Sequence, residues 1–257
     1  MPTQAARSTL ERGRLAIIID DCGQWLPVER AFLHLPVIVT LAVLPFVHGT
    51  AEIQRDAQRA DRPVILHLPM QPFAHLYPGP GEITLAMSDA QIERQVERDL
   101  AQVPLAGGVN NHEGSAATSS ARVMRAVARV LRDRGLFFVD SRTAASSVAA
   151  RITTAMGVPT VSRDVFLDDR NDLSYVEGQL REAAAIALRS GSAVAIGHPR
   201  AATLNALRAM APALRREGIT FVPVQSLAEN EPLSGPASAP PTERSHPTAP
   251  AKPARAR

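Results

Sequence analysis

Eight short, nearly uninterrupted apolar runs, separated by stretches with helical periodicity, restrict this chain more than any other feature it carries. They are RLAIII (14–19), VIVTLAVL (37–44), PVILHL (63–68), GGVN (107–110), LFFVD (136–140), VPTVS (158–162), AVAIG (193–197) and ITFVPV (219–224). Most are β-branched and continuous rather than alternating, the pattern of strands covered on both faces in a parallel sheet. The stretches between them carry helix punctuation. SDAQIERQVERDL opens with Ser88 and Gln91 at capping-box spacing, where hydroxyl and amide each satisfy a free backbone group. ARVMRAVARVLRDRG sets Val123, Val127, Val130 and Leu131 on one face and stops at Gly135, which suits a left-handed cap. DLSYVEGQLREAAAIALRSG and ATLNALRAMAPALRREG repeat the pattern. Repeated strand and helix over most of the chain predict an α/β fold, either a barrel of parallel strands or a doubly wound sheet.

The polar residues decide between these two. Asp20 and Asp21 follow LAIII, His67 lies in VILHLP, His112 follows GVNN, Asp140 follows FFV, and His198 follows AVAIG. Parallel strands bring all these ends to one face. Closing the sheet gathers strands distant in sequence around one axis, whereas a flat sheet spreads them by roughly 5 Å per strand. Convergence favours the barrel. Imidazole and carboxylate at such ends suit a first-row divalent ion, zinc above all. Taken singly, a His at a strand end also reads as a hydrogen-bonded structural residue, and Asp20 and Asp21 also read as groups that cap a helix or hold a turn.

Charge bounds the partners. The net charge is +3 over 257 residues. Arg7 and Arg12 outnumber Glu11 near the start, and Arg244, Lys252, Arg255 and Arg257 outnumber Glu231 and Glu243 near the end, so the folded part is close to neutral. No cluster of Arg interleaved with aromatics appears, so nucleic acid is not the expected partner. Cys22 is the only cysteine and reads as a small buried side chain. The run MPTQAARSTLERGR lacks the apolar stretch of a signal peptide, and nowhere do eighteen apolar residues follow one another, so no transmembrane segment is expected. The chain as written is expected in the cytoplasm, and an export signal upstream of Met1 would place it in the periplasm instead. Three segments result: a short extension at 1–13, a folded domain at 14–230, and a tail at 231–257 whose Pro, Ala and Ser content predicts disorder and discounts His246 as a ligand.

The motifs IIIDDCG, HLPMQP, GVNNHEGS, FFVDSRT, RDVFLDD and IGHP, in that order from about Arg14 to Leu227, resemble the divergent polysaccharide deacetylase family, a branch related to the nodulation-type carbohydrate deacetylases. The resemblance implies a distorted NodB-like (β/α) barrel of about seven parallel strands with a divalent metal held by Asp and two His. By position, Asp20 matches the family's base, Asp21 its metal-binding Asp, and His198 its late His, which acts as acid. The pair of His four residues apart is missing: Gln71 follows His67 where Glu is expected in this branch, and a neutral amide supplies no anionic ligand. His112, from the next strand, is then the candidate third ligand beside Asp21 and His67. Glu113 stands where an apolar residue is expected and reads as a solvated side chain or a further carboxylate ligand.

The expected activity is metal-dependent hydrolysis of N-acetyl groups on a carbohydrate. In that reading Asp20 takes a proton from water and His198 returns one to the leaving amine. Asn110 and Asn111 are candidates for binding sugar hydroxyls or the oxyanion, and Ser115 for capping the following helix. Asp140, Ser141, Arg142, Arg163, Asp164 and Asp168 are candidates for facing the substrate or supporting the site, with Arg163 paired to Asp140 or Asp164 as the structural alternative. Trp25, Phe73, His75 and Tyr77 are candidates for stacking on sugar faces, or for closing loops over a core. Two other readings stand beside this one: a catalytically idle glycan-binding barrel, and a metal-dependent hydrolase of a different amide or ester. Oligomeric state is not legible.

Overall fold

All eight apolar runs become strands, every pairing is parallel, and the longest strand, β1 (Gly13–Cys22), sits at the centre of the sheet. A computed structural model describes residues 12–229. The N-terminal extension up to residue 11 and the expected tail at 231–257 lie outside the described residues. Strands β2 (Thr40–Val43), β3 (Val64–Met70), β4 (Ala106–Glu113), β5 (Phe137–Asp140) and β6 (Thr160–Ser162) succeed β1 on one side. On the other lie β8 (Ser192–Gly197) and β7 (Val165–Phe166), while β9 (Ile219–Phe221) pairs with the start of β1. That makes nine strands among the described residues, where the resemblance implied about seven. The difference comes from β9 and from β7, a two-residue strand too short to leave a periodic signal.

The two ends of this sheet are consecutive in the chain. Only Arg163 and Asp164 separate β6 from β7. The Arg163 N–H donates to Asp140 O on one edge at 2.9 Å, and the Asp164 N–H to Val194 O on the other at 2.9 Å. The barrel is therefore closed by the backbone itself crossing the seam, which accounts for its distortion.

Strand parity divides the buried side chains into two layers. Leu15, Ile17, Ile19, Leu41, Val43, Leu66 and Leu68 face outward into the helices, notably α3 (Asp89–Gln102), α4 (Ala121–Arg134), α6 (Leu173–Ser190) and α7 (Ala201–Arg216). Ala16, Ile18, Ala42, Ile65, Phe137, Val139, Val161, Val194 and Ile196 fill the interior. The last helix, Val224–Ala228, closes the bottom with Val224 and Leu227. Gly108 is required there: a Cβ at this position would stand 2.5 Å from the Phe137 ring. The expected caps are also in place, with the Ser88–Gln91 capping box on α3 and Gly135 at φ 67° after α4. Ser115, expected to cap the next helix, instead accepts from the Phe73 N–H at 2.8 Å, and Ser120 is the cap of α4.

Candidate metal centre

The inner register of each strand continues past its apolar residues into a polar one. Ala16 and Ile18 lead to Asp20, Ile65 to His67, Gly108 to Asn110 and His112, and Val194 and Ile196 to His198. Because the strands are parallel, these groups meet at the same, C-terminal, end of the barrel. Asp21 has the wrong parity to join them. It does so because the pairing of β1 with β2 slips between Ile19 and Cys22, and because Asp21 adopts φ 57°, a left-handed conformation that a residue other than Gly adopts only at a cost. The slip turns two successive carboxylates into one site. The loop beyond is pinned by the buried Glu29, whose carboxylate accepts from the N–H groups of Gly23, Gln24 and Trp25 at 2.9, 2.9 and 2.6 Å.

Asp21, His67 and His112 form a nearly equilateral triangle. Asp21 Oδ1 lies 3.2 Å from His67 Nε2 and 3.1 Å from His112 Nδ1, and the two nitrogens are 3.0 Å apart. Atoms bound to one zinc-sized ion at tetrahedral or octahedral angles stand about 2.8–3.6 Å apart. Asp21 Oδ1 is also sheltered from solvent and has no aligned hydrogen-bond partner among the described residues, although two imidazoles face it. One carboxylate oxygen and two imidazole nitrogens, all within 3.2 Å of one another, have the donor chemistry and spacing to fit a divalent ion. Gln71 takes no part. Its Oε1 accepts from the Leu85 N–H at 2.7 Å, holding the loop over the rim. The second imidazole beside His67 comes from β4, whose His112 sits in register with Pro69.

Two further groups flank the triangle. Asp20 is buried, its Oδ1 accepting from Asn110 Nδ2 at 2.8 Å, while its Oδ2 lies 3.7 Å from His67 Nε2. Burial pushes its carboxyl above the usual range, against the pull of His67 and His198. His198 Nε2 lies 3.8 Å from Asp21 Oδ2, and its Nδ1 lies 2.8 Å from Asp168 Oδ1. Burial alone would lower the His198 ring, yet the Asp168 carboxylate raises it on balance. Burial likewise opposes the charge on His67 and Asp21, but each is overruled by its neighbours. Asp20 and Asp21 lift His67 to about 9, and the two imidazoles hold the Asp21 carboxyl far below the usual range.

Several residues expected to face substrate are occupied elsewhere. Asn110 is fully buried and its amide is spent on His67, Asp20 and Ser141. Asn111 donates to Glu113 O and accepts from the Ser141 N–H, tying β4 to the loop after β5. Asp140 accepts from the Arg142 and Ala150 N–H groups and from Ser147 Oγ, so it folds that loop rather than opening onto the rim. Arg163 donates to the carbonyls of Ser141 and Arg142 and covers the Phe166 ring at 4.9 Å, so its side chain serves the seam and not the ion pair with Asp140 or Asp164. Trp25 is 57 % exposed and stands outside the cavity of about 300 Å³ beside His112. Tyr77 reaches that cavity, together with Gln24, Pro45, Val47 and Pro78. Asp168 has the largest role that its sequence position understates. It is fully buried, accepts from the His198 N–H and from Thr203 Oγ1 at 2.8 and 2.6 Å, and follows the strand too short to be foreseen.

A parallel α/β barrel with an Asp, two His and a flanking Asp and His on its C-terminal rim defines a deacetylase-like fold of the NodB type. The chain belongs to the divergent polysaccharide deacetylase family, which matches residues 17–228. A relative from Haemophilus influenzae, an uncharacterized protein, is 37% identical over 222 residues, covering 86% of this chain and 78% of its own. The structure is similar to that of an uncharacterized protein from Agrobacterium tumefaciens C58, at TM-score 0.80 and 25% identity over 88% of this chain and 92% of that one. The catalytic domain of a peptidoglycan N-acetylglucosamine deacetylase from Eubacterium rectale ATCC 33656 shares the fold at TM-score 0.53 and 16% identity, over 82% and 88% of the two chains. No helix among the described residues is long and apolar enough to cross a membrane.

Proposed function

We propose that the protein is a metal-dependent hydrolase that removes N-acetyl groups from a carbohydrate, with a cell-wall glycan as the substrate class. The observation that carries this reading is the triangle of Asp21 Oδ1, His67 Nε2 and His112 Nδ1, at 3.0–3.2 Å edges, flanked by a buried carboxyl and a carboxylate-supported imidazole. The donor set of one carboxylate and two imidazoles is that of zinc. Bound there, the ion supplies a Lewis acid for the amide carbonyl and lowers the pKa of water by several units.

The chain's own residues supply the proton transfers. Asn110 occupies Oδ1 of Asp20 while Oδ2, 3.7 Å from His67 Nε2, has no hydrogen bond among the described residues, so it can take a proton from an attacking water. His198 presents Nε2 to the rim, and the Asp168 carboxylate behind it favours the charged ring, so it can give the departing amine its proton. Asp168 fixes the orientation of that ring from behind. The cavity beside His112, walled by Tyr77 and the neighbouring prolines, is where a sugar ring would lie. Acetate release from N-acetylated oligosaccharides, assayed with zinc and after chelation, tests the reading. Zinc-dependent release that Asp20→Asn abolishes while metal content stays stoichiometric supports it. No stoichiometric ion, or equal hydrolysis by Asp20→Asn, overturns it.

A further inference from the structure

Asn110 hydrogen-bonds both a ligand candidate and the candidate base, and nothing about its burial suits contact with a substrate. Its Oδ1 lies 2.8 Å from His67 Nδ1, and its Nδ2 lies 2.8 Å from Asp20 Oδ1 and 3.3 Å from Ser141 Oγ. The register that pairs β3 with β4 sets His67 directly beside Asn110, so these contacts are built into the sheet rather than reached across a loop. The orientation of the amide follows from chemistry. An ionised carboxylate only accepts, so Asp20 selects the NH₂ end and turns the carbonyl end to His67. A carbonyl also only accepts, so Nδ1 of His67 must hold a hydrogen, and in the neutral ring Nε2 is then left with its lone pair directed at Asp21 Oδ1 and His112 Nδ1.

We propose that Asn110 is a positioning residue that selects the ligating tautomer of His67 and at the same time holds the Asp20 carboxylate facing the site. Histidines that bind metals usually gain this support from a carboxylate or a backbone carbonyl. An amide serves here because a second carboxylate against Asp20 would set two buried like charges side by side, whereas Asn offers an acceptor to one neighbour and donors to the other. One residue thereby aligns a ligand and a base that come from strands β3 and β1. The inference rests on the reading of Asp21, His67 and His112 as a metal site, and its tests separate the two.

The two ends of the amide are tested by different substitutions. Asn110→Asp keeps an acceptor for His67 and loses the donor to Asp20. Asn110→Leu loses both while keeping the branched outline of the side chain. Zinc affinity measured by competition with a chromogenic chelator is expected to stay within about threefold of wild type in Asn110→Asp and to fall roughly 10- to 100-fold in Asn110→Leu. Acetate release is expected to fall in both. Equal affinity in Asn110→Leu and wild type, or an equal loss in both variants, overturns the proposal. Long-range ¹H–¹⁵N correlation on the unsubstituted chain is independent of whether the variants fold. It should show His67 protonated at Nδ1 with zinc bound, and at Nδ1 rather than Nε2 in the neutral ring of the ion-free chain. Protonation at Nε2 in the ion-free chain overturns it. If the wild type binds no zinc, the hydrolase reading fails, while the spectrum of the neutral ion-free ring still decides the role of Asn110.

Discussion

His67 Nε2 and His112 Nδ1 lie 3.0 Å apart although they belong to neighbouring strands and are 45 residues distant in sequence. The family resemblance led one to seek two His along β3; the two imidazoles that face each other here come from β3 and β4. His112 stands one pleat beyond Asn110, so its ring leans over His67 at a centroid distance of 4.7 Å.

This arrangement predicts an unequal outcome for two substitutions near the rim. His112→Ala should lower zinc affinity by at least about 100-fold, since it removes a ligand outright. Gln71→Ala should leave affinity unchanged and cost about 1 kcal/mol of stability through the lost bond to Leu85. Isothermal titration with zinc, together with urea denaturation, checks both. A loss of affinity in Gln71→Ala would place that residue in the ligand set, where its neutral amide was not expected.

Asp168 supports the charged form of His198, so Asp168→Asn should let the ring lose its proton at lower pH. If His198 is the acid, the alkaline limb of kcat/KM should move to lower pH, with zinc content unchanged. The measurement is the pH–rate profile of acetate release. An unmoved alkaline limb would remove His198 from the acid role.

Asp99 on α3 takes no part in this chemistry and carries a separate pH prediction. It is fully buried, its Oδ2 has no partner among the described residues, and a Cβ at Gly81 would stand 2.6 Å from its Oδ1. Burial raises its carboxyl from 3.8 to about 8, against the smaller opposing effects of the Gln95 hydrogen bond and Arg98. The folded chain therefore holds this proton more tightly than the unfolded one. The stability it contributes is complete below about pH 4 and is lost as pH rises toward 8. Relative to Asp99→Asn, the wild type should lose more than about 1.4 kcal/mol between pH 5 and pH 9, the equivalent of one pKa unit. Urea midpoints at the two pH values decide it, and parallel pH dependence in the two proteins would show that Asp99 does not carry this proton.

Inside the barrel floor, Gly108→Ala should cost about 1–3 kcal/mol, because the added methyl meets the Phe137 ring. Phe137→Leu in the same chain should recover part of the loss. Additive losses in the double variant would show that the two positions are not in contact.

Much of this architecture was legible because parallel strands buried on both faces announce themselves as apolar runs, and because the polar residue that ends each run is conspicuous. Asp20, Asp21, His67, His112 and His198 could all be nominated on that ground. The bulge at Asp21 could not, since a register slip leaves no trace in residue type, and neither could β7, which is two residues long. Asn110 and Asn111 show the same limit from another side. Adjacent amides look alike in sequence, but strand parity sends one inward to His67 and Asp20 and the other outward to the loop after β5. Which face a polar residue serves depends on register, and register emerges only once the strands are paired.

The crossing at Arg163 and Asp164 gives the molecule an unusual point of vulnerability. Elsewhere adjoining strands are laced by ladders of hydrogen bonds, but at this one place the ring is held shut by a single stretch of main chain, with Arg163 stitched to Ser141 and Arg142 and capped by Phe166. Phe166 in turn packs on His198 at 5.4 Å, so any slackening of that clasp is felt first by the histidine assigned to protonate the departing amine. Insertions tolerated in other loops should be poorly tolerated here, where the circumference of the barrel is measured out by two residues.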